Sequence, residues 1–572
     1  MRYNHFRKLF FLAFTFFTVI LSGQSKQSKL SHKEWVEDLN YLVKTIKTRH
    51  YKPYTTVSER VLDSLKNDIE QKIDTYSEEK IICEFSKLTA LLKWGHTRFS
   101  LPVNNDHLGL YLGHARERKP EDNISMFSTL PLRFVKFSEG IYVESATSGY
   151  SNLLGKRLTH IGEYSVEEAI KRVSSYIAYE NESALSLLAP SYLSIAELLY
   201  ADGITNSKTS ISLRFDNNDP VNIKPIPFDD NSTWVDYLTK NHISKPKWLK
   251  NTDNGIWKIV TNDEFYTKVD QYYWYDFNTQ DKSFYIKINY LFHHPDKSLA
   301  IFMNEAMTEA TKKNAEKIIL DLRHNRGGTS DMNRAVKLAL QRWHKIADFG
   351  SVFVIIGRHS YSASIMLAMD LEKDFNVIFL GEEMGGRPEH IGDSQRFRLP
   401  NSGLTLRVSV REHHDWTGLP DRPSVWLHYK TPLTFEDYKK GIDRSLQFAK
   451  DYQFKGVETE IVNLYKTTNI NTAILIYYHL LTDPISAVKD YSGVAYSLAK
   501  FLYEEEDRAS WAQSIILVNL EYYSKHIPSL LLLAEIQLKM ENTEDAKATL
   551  NKVLSIDTNN RNAKKLLNSI NK

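Results

Sequence analysis

The sequence predicts a multidomain α/β protein with a helical segment on each side of its central α/β region. Its 572 residues exceed the length of one ordinary domain, and strand-like and helix-like runs alternate over residues 283–411. Apolar residues recur at helical spacing over residues 31–93, and again from about residue 455 onward. Apolar residues make up 42% and charged residues 25%, which is ordinary for a folded protein. The net charge of +3 gives no basis for nucleic-acid binding.

The N-terminus has the pattern of a secretory signal peptide. Arg2, Arg7 and Lys8 precede an unbroken apolar run over residues 9–21. This run is shorter than the roughly 20 residues that cross a bilayer as a helix, so cleavage of residues 1–23 is favoured over retention as a membrane anchor. We therefore expect an exported protein, periplasmic or associated with the cell envelope, with no membrane span after signal removal.

Residues 28–100 are predicted to form a helical domain. Ser31 and Glu34 have the spacing of a capping box at the start of the first helix. The single cysteine, Cys83, lies in an apolar helical pattern, which predicts a buried side chain rather than a reactive thiol. Because one cysteine cannot form an internal disulfide, burial must provide the stability.

Residues 280–445 are predicted to form an α/β core with parallel strands. The strands are KSFYIKINY, KIILDL, SVFVIIG and NVIFLG, and helical sequences separate them. Loops that follow such strands converge on one edge of the sheet, where ligands bind. Three loops are therefore expected to meet there: residues 323–330, 358–364 and 382–390.

Ser362 is the candidate nucleophile at this edge. It lies where SVFVIIG ends and the next helix begins, so its hydroxyl is expected at a helix N-terminus. A plain helix cap is the alternative role for a serine there. Gly327 and Gly328 follow KIILDL directly, and an amide from this pair together with that of Ala363 would make a two-donor oxyanion hole. The alternative for the two glycines is an ordinary turn.

These loops resemble the core of the tail-specific (C-terminal-processing) serine peptidases. KIILDLRHNRGG, SVFVIIGRHSYSAS and NVIFLGEEMGGRP occur in the family's order, and Ser362-Ala363 matches its nucleophile motif. GIYVESA and GKRLTHIGEYSVEEA also resemble its PDZ-type segment. The resemblance implies a degenerate PDZ-like domain over residues 128–227, with a helical insertion near 183–201. It also implies that Ser362 forms an acyl-enzyme.

Position 387 departs from the family pattern. Members with a Ser-Lys dyad have a lysine there, whereas this chain has Arg387. Arginine stays protonated and cannot act as a general base, so a Ser-Lys mechanism is excluded at this position. Arg387 is instead expected to bind a substrate carboxylate or to steady the oxyanion.

A branch of the family that resembles the tricorn core protease takes its histidine from the N-terminal part of the chain. WGHTRFSLP places His96 at that position, and histidine is a competent base near neutral pH. A helix-capping histidine is the alternative. In the same branch an acid precedes a Gly-Pro-Asp segment. DWTGLPDRP offers Asp415, in place of the family's glutamate, to orient His96 or to polarise a water. No metal site is predicted, because His413 and His414 lack a second ligand motif.

Residues 455–572 are predicted to be helical with an internal repeat. Leu498-Ala499 and Leu533-Ala534 are 35 residues apart, and Ala512 and Ala546 are 34 apart. This period resembles that of tetratricopeptide repeats, with an unrelated helical bundle as the alternative. Such repeats would present a surface to a protein partner.

The predicted function is the hydrolysis of peptide bonds in exported proteins or peptides, with Ser362 as nucleophile and His96 as base. Asp321 and Arg323 are expected to brace their loop rather than to react. The alternative is a catalytically inactive relative that binds peptides or proteins. No cofactor is predicted.

Overall fold

The computed structural model describes residues 30–103, 127–216, 218–226, 258–259, 271–346, 348–419, 421–482 and 489–570. The predicted signal peptide therefore lies outside the described residues. Within them, no helix is both long enough and apolar enough to cross a membrane. The architecture combines helices with several sheets, as the predicted α/β class requires.

Three helices form the N-terminal segment: α1 (His32–Arg49), α2 (Glu59–Lys72) and α3 (Glu78–Ala90). The predicted capping box is present, because the Ser31 side chain accepts from the Glu34 amide and the Glu34 carboxylate accepts from the Ser31 amide at 2.7 Å. Cys83 is fully buried on α3, and burial raises the pKa of its thiol. An inert, structural cysteine follows from this environment.

A mixed segment comes next. Its strands are β1 (Arg98–Phe99), β2 (Leu132–Phe137), β3 (Gly140–Ala146), β4 (Arg157–Ile161), β5 (Tyr164–Ser165), β6 (Ile211–Phe215), β7 (Val221–Ile223) and β8 (Lys258–Ile259). Its helices are α4 (Val166–Val173), α5 (Glu182–Tyr192) and α6 (Ala196–Ala201). Strands β2-β3-β4-β6-β7 form an antiparallel path, with β5 on β4 and β8 on β3. The helical stretch predicted near 183–201 is two helices, α5 and α6, rather than one.

The central sheet has six described strands in the order β18-β13-β12-β11-β10-β9. They are β9 (Tyr273–Phe277), β10 (Ser283–Ile288), β11 (Lys317–Asp321), β12 (Val352–Ile356), β13 (Val377–Gly381) and β18 (Tyr429–Lys430). The four predicted strands, β10 to β13, pair in parallel, which confirms the predicted arrangement. One face packs on α7 (Leu299–Lys312), α8 (Asn333–Leu340) and α9 (Ala363–Asp374).

Two small sheets involve the chain that follows β13, and the first of them links this chain to β1, which follows the N-terminal helices. In the first, β1 pairs with β16 (Thr405–Val408), which pairs with β15 (Gln395–Arg398). In the second, β14 (His390–Gly392) pairs with β17 (Arg411–His413). Apolar side chains of residues 391–408 lie in the same hydrophobic core as those of α1, α3 and the mixed segment. This link holds residues far apart in sequence beside the carboxyl edge of the central sheet.

The remaining chain is helical. The helices are α10 (Phe435–Lys440), α11 (Arg444–Asp451), α12 (Val457–Thr467), α13 (Ile470–Thr482), α14 (Ser492–Glu504), α15 (Ala509–Tyr522), α16 (Ile527–Lys539), α17 (Thr543–Ile556) and α18 (Arg561–Ile570). Helix α11 covers the second face of the central sheet, and from α14 onward each helix packs against the next. The alanines that mark the predicted period, Ala499, Ala512, Ala534 and Ala546, are fully buried. Small residues let neighbouring helices approach closely at these positions.

Two buried histidines predict how stability depends on pH. Burial lowers the pKa of both His50 and His428 to about 4. In the unfolded chain a histidine titrates near pH 6.5, so between about pH 6.5 and about pH 4 the unfolded state binds more protons. The free energy of unfolding should therefore fall as the pH is lowered through this window, by up to about 3 kcal/mol for each histidine.

Chemical denaturation between about pH 7 and about pH 4 measures this dependence. The His428 Nδ1 accepts a hydrogen bond from the Phe379 amide, and asparagine can replace that acceptor without titrating. His428→Asn should flatten the dependence. Part of the dependence should remain, because His50 still titrates. An unchanged slope in this variant would show that His428 does not contribute to it.

Candidate active site

Ser362 lies in a strained turn between β12 and α9. Its backbone has φ 56° and ψ −125°, a region that non-glycine residues rarely occupy and that costs about 1–3 kcal/mol. The serine is the N-terminal cap residue of α9, yet its side chain makes no capping hydrogen bond. The simple capping role considered from the sequence is therefore not the one observed.

Neighbouring hydrogen bonds hold the strained turn in place. The Ser360 hydroxyl donates to the Leu322 carbonyl at 2.7 Å and accepts from the Gly357 amide at 3.1 Å. The Tyr361 amide donates to the Asn325 carbonyl at 3.0 Å. These bonds join the turn to the loop that follows β11, so two of the three predicted loops are locked together.

Gly327, the first residue of the glycine pair, lies directly against Ser362. A Cβ atom on Gly327, which has φ +91°, would be 2.6 Å from the Tyr361 carbonyl oxygen and 2.9 Å from the Ser362 Cβ. Only glycine allows this approach. The Gly327 amide already donates to the Asn325 side chain at 2.9 Å. Within the described residues, the Gly328 and Ala363 amides have no acceptor. Of the three residues predicted to supply oxyanion-hole amides, Gly328 and Ala363 are therefore the two that remain candidates.

His96 and Ser362 line the same cavity, which has a volume of about 210 Å³. The loop carrying His96 is tied to the chain after β16, because the Thr97 hydroxyl lies 2.8 Å from that of Ser409 and accepts from the Ser409 amide at 3.0 Å. Strand β1 then continues the link by pairing with β16. Within the described residues, no hydrogen bond joins His96 to Ser362.

The imidazole of His96 is held by Tyr361. The two rings stack with centroids 4.5 Å apart, and the Tyr361 hydroxyl lies 2.8 Å from His96 Nδ1. The ring of His390 also stacks on that of His96, at 5.7 Å. Because Nδ1 is engaged with Tyr361, Nε2 is the nitrogen left to exchange a proton with a substrate or nucleophile.

Glu180 is the carboxylate beside His96. Its Oε1 lies 3.9 Å from His96 Nδ1 and 3.3 Å from the Tyr361 hydroxyl. The carboxylate also accepts from the Gly95 amide at 3.0 Å and from the Arg387 amide at 3.1 Å. Its side chain is only 1% exposed, so few of its interactions are screened by solvent.

These contacts keep Glu180 charged and Tyr361 neutral. Burial opposes ionisation of Glu180, but His96, His390 and the Arg387 amide more than offset it, so its pKa lies below the usual value. Burial raises the pKa of Tyr361 well above its usual value, and the charge of Glu180 adds to this effect. The Tyr361 hydroxyl therefore keeps its one proton. It can donate a hydrogen bond to either His96 or Glu180, but not to both.

Asp415 does not take the position expected for it. Both of its carboxylate oxygens bond to Arg422, at 2.7 and 2.9 Å, and the Thr417 hydroxyl donates to it at 2.7 Å. Arg422 also bridges to Glu372 on α9. Asp415 thus belongs to a buried ion cluster with Arg422 and Glu372 and does not make the predicted contact with His96.

Arg387 contributes to the site through its backbone. Its guanidinium pairs with Asp421 at 2.5 Å, and the residue is not among those described as lining the cavity. Its amide donates to Glu180. Contact of the Arg387 side chain with substrate stays a prediction. The pairing of its guanidinium with Asp421 does not favour it.

Asp321 and Arg323 brace the loop after β11. The buried Asp321 carboxylate accepts from the Tyr285 hydroxyl at 2.7 Å and from the Arg323 side chain at 2.9 Å, and it pairs with Lys287 at 2.9 Å. Burial opposes ionisation of Asp321, but Arg323 and Lys287 hold its pKa well below the usual value. Burial in turn lowers the pKa of Lys287 to about 8. The negative charge of Asp321 is thus paired with the positive charges of Arg323 and Lys287 at the carboxyl end of the sheet.

One group of described side chains brings three metal-ligand atom types close together. Glu389, Glu412 and His414 each offer one atom, and these three atoms lie within 4.8 Å of one another. Lys52 forms an ion pair with Glu412, so a positive charge already lies beside this group. His413 stacks on His390 at 4.9 Å and is not part of the group.

Two residues of the site had no assigned role from the sequence. Tyr361 is adjacent to Ser362 in RHSYSAS, and a tyrosine there is a signal that motif reading could have used. Glu180 lies in an unremarkable polar stretch and has no such signal. Its position depends on Asn181, whose amide donates to the carbonyls of Met384 and Pro423 at 2.9 and 2.6 Å.

Comparison with known proteins identifies structures but no sequence family. No family model matches the chain, and no curated protein matches it at a significant level. Mature CPAF is 13% identical over 73% of this chain and 96% of its own, with a TM-score of 0.47. The photosystem II D1 C-terminal processing protease is 12% identical over 72% and 98%, with a TM-score of 0.33.

A putative S41 protease from Bacteroides fragilis is 10% identical over 59% of this chain and 89% of its own, with a TM-score of 0.25. None of these TM-scores reaches 0.5, so the comparisons assign neither an activity nor a residue role to this chain.

Proposed function

We propose that this protein is a serine-type peptidase that hydrolyses peptide bonds through an acyl-enzyme on Ser362. One observation carries the proposal: a strained serine without a capping hydrogen bond shares a cavity with a histidine held by Tyr361 and Glu180, and the Gly328 and Ala363 amides have no acceptor among the described residues. A nucleophile, a positioned base and an oxyanion site are the three components that acyl transfer needs.

The proton route begins at Ser362. The Tyr361 hydroxyl donates a hydrogen bond to the charged Glu180. The Tyr361 oxygen therefore accepts a hydrogen bond from His96 Nδ1–H, which leaves His96 Nε2 as the base. Nε2 takes the proton of the Ser362 hydroxyl while the serine oxygen attacks the substrate carbonyl carbon. Protonated His96 then donates that proton to the leaving amine. Substrate binding would have to bring the hydroxyl and Nε2 into hydrogen-bond reach, as is common when free enzymes bind their substrates.

The oxyanion of the tetrahedral intermediate would be bound by the Gly328 and Ala363 amides. The Ala363 amide also lies at the N-terminus of α9, where the helix dipole favours negative charge. His96 then takes a proton from a water molecule, whose oxygen attacks the acyl carbon. As the acid product leaves, His96 returns that proton to the Ser362 oxygen and regenerates the hydroxyl. No cofactor takes part in this scheme.

The proposal extends to the segments on either side of the catalytic core. Residues 128–227 would be a degenerate PDZ-like domain that presents substrate to the site, and residues 455–572 a tetratricopeptide-like domain that contacts a protein partner. Export to the periplasm or cell envelope would follow from the N-terminal pattern.

A fluorophosphonate probe tests the proposed function directly. The intact protein should be labelled at Ser362, and Ser362→Ala should not be labelled, because the probe reacts only with an activated serine. Ser394→Ala removes another hydroxyl from the same cavity and should keep the labelling. A folded protein that neither reacts with the probe nor cleaves peptides would support the alternative, an inactive relative that binds peptides.

A further inference from the structure

Helix α18 has one buried face and one cationic face. Its core positions recur at helical spacing and join a single hydrophobic cluster: Ala563, Leu566, Leu567 and Ile570. Four exposed polar positions recur at helical spacing as well: Arg561, Lys564, Lys565 and Asn568. The sequence of α18 includes no aspartate or glutamate. The solvent-facing side of this helix therefore carries charge of one sign.

The three cations of α18 take part in no ion pair within the described residues. The described ion pairs of residues 489–570 are Lys500–Glu504, Arg508–Glu506, Lys539–Asp507 and Lys547–Glu544. Asp557 precedes the helix, and its carboxylate accepts from the Asn559 amide and the Asn560 side chain. The positive charge on this face is thus not paired inside the described part of the chain.

Local helix energetics disfavour this arrangement of charges. Arg561 is the first residue of α18, where the helix dipole disfavours a positive charge. Lys564 and Lys565 follow it by three and four residues, and like charges at that spacing destabilise a helix. An acid at position 561 would stabilise the helix on both counts. A face that costs stability in this way is typical of a binding surface.

A cleft between α17 and α18 adjoins this face. Its volume is about 460 Å³, and six side chains line it: Lys547, Asn551, Leu554, Lys564, Leu567 and Asn568. The two leucines are partly buried, and the two asparagines are exposed. Each asparagine carboxamide offers both a donor and an acceptor. Glu544 pairs with Lys547 at 2.9 Å, so Lys564 is the lining cation that has no described ion pair.

We propose that this cleft and the cationic face beside it, Arg561, Lys564 and Lys565, bind an acidic segment of a partner protein. Carboxylates of the partner pair with the cations, and one of its apolar side chains enters the cleft against the two leucines. The asparagine carboxamides bond to its backbone. The inference rests on the proposed partner contact of residues 455–572, to which it adds a site and a ligand chemistry. It does not depend on the peptidase activity.

Fluorescence anisotropy with full-length Ser362→Ala tests this binding without cleavage of the probe. The probes are three fluorescein-labelled peptides of equal length, with the central sequences EELEE, QQLQQ and EESEE. EELEE should bind about tenfold more tightly than QQLQQ and about threefold more tightly than EESEE, because it alone offers carboxylates together with an apolar side chain. The preference over QQLQQ should shrink at high salt. Equal affinities for EELEE and QQLQQ would overturn the inference, and equal affinities for EELEE and EESEE would contradict the contact with the leucines.

Single substitutions in the same background locate the contact. Lys564→Gln and Lys565→Gln change exposed side chains, and each should weaken the binding of EELEE about threefold. Lys500→Gln is the matched control, because this lysine on α14 is 46% exposed and lies outside the cleft. It should leave the affinity unchanged. Binding of EELEE that neither α18 variant weakens would place the contact elsewhere and contradict the proposed site.

Vesicles of phosphatidylglycerol test the other anionic surface that a cationic helix could meet. Binding of the protein to these vesicles, weakened by Lys564→Gln, without any binding of EELEE would assign the face to a lipid surface and overturn the inference. Binding of EELEE with no affinity for the vesicles would support it.

Fluorophosphonate labelling separates this inference from the peptidase function. Lys564→Gln on its own should be labelled at Ser362 as the wild type is. Binding of EELEE in a chain that the probe never labels would refute the peptidase and leave the cleft intact. Labelling at Ser362 without any preference for EELEE would do the reverse.

Discussion

Replacing His96 by alanine is expected to lower kcat/KM for a peptide substrate by about 10⁴-fold. The imidazole is the base in the proposed scheme, and without it the Ser362 hydroxyl keeps its proton and remains a weak nucleophile. The fold should survive, because His96 is held mainly through Tyr361 and because the loop is fixed independently by Thr97 and Ser409. Steady-state kinetics, together with the melting temperature, measure both effects.

His414→Ala is the matched control for this substitution. This histidine is 70% exposed and lies outside the cavity lining, so its loss should leave kcat/KM within about twofold of wild type. A loss of less than tenfold in His96→Ala would move the role of base to another group. His359 is the other histidine among the described residues that line the cavity, and it would then be the next to substitute.

Glu180→Gln should lower kcat/KM by about 10²- to 10⁴-fold with a small change in stability. The carboxylate accepts from two backbone amides and lies beside Tyr361, all of which are donors. A glutamine must turn its NH₂ group toward one of them, so at least one hydrogen bond is lost. Gly95 and Tyr361 share Oε1, whereas the Arg387 amide bonds to Oε2. With the NH₂ group on the Oε1 side, Tyr361 would donate to His96 Nδ1 instead, which leaves the proton on Nε2 and disables the base.

Kinetics across a range of pH distinguish this effect from simple structural damage. The loss should lie mainly in kcat, and the pH dependence of kcat should change because the tautomer of His96 has changed. A variant in which KM rises while kcat and its pH profile stay at wild-type values would contradict the role of Glu180 in orienting the base.

Asp415→Asn provides the comparison, because it alters the carboxylate that the sequence had indicated. Asp415 and Arg422 are both almost fully buried, at 1% and 3% exposure of the side chains. Breaking a buried ion pair of this kind costs about 3–5 kcal/mol. The melting temperature should therefore fall in this variant, whereas Glu180→Gln should mainly lose activity. The reverse pattern would restore Asp415 as the orienting acid.

Much of the central sheet could be predicted because its signals are local. Strands β10 to β13 are continuous apolar runs, and such runs are buried on both faces in a parallel sheet. Gly327 and the turn at Ser362 were likewise visible as a glycine pair and a strand-to-helix junction. The strain at Ser362 was not visible, since it depends on hydrogen bonds between two loops.

The acid partner could not be predicted, because no local pattern marks it. Asp415 had a motif, but Arg422, seven residues later, forms a bidentate pair with it inside the core. Glu180 had no motif, yet the chain before α5 is fastened to the loop after β13 by Asn181 and Ser183. Long-range packing of this kind decides which carboxylate reaches the histidine.

By itself the sequence determined the α/β class, the parallel strands, the candidate nucleophile and the exclusion of a lysine base at position 387. These depend on residue type and on spacing along the chain, which are properties of short segments. Only the tertiary structure decided that His96 shares a cavity with Ser362 and that Tyr361 and Glu180 hold it. It also decided that the Gly328 amide, unlike that of Gly327, has no acceptor in the part of the chain that the structure describes. The physical reason is that β1 pairs with β16 across more than 300 residues of chain. No local preference encodes a contact of that length.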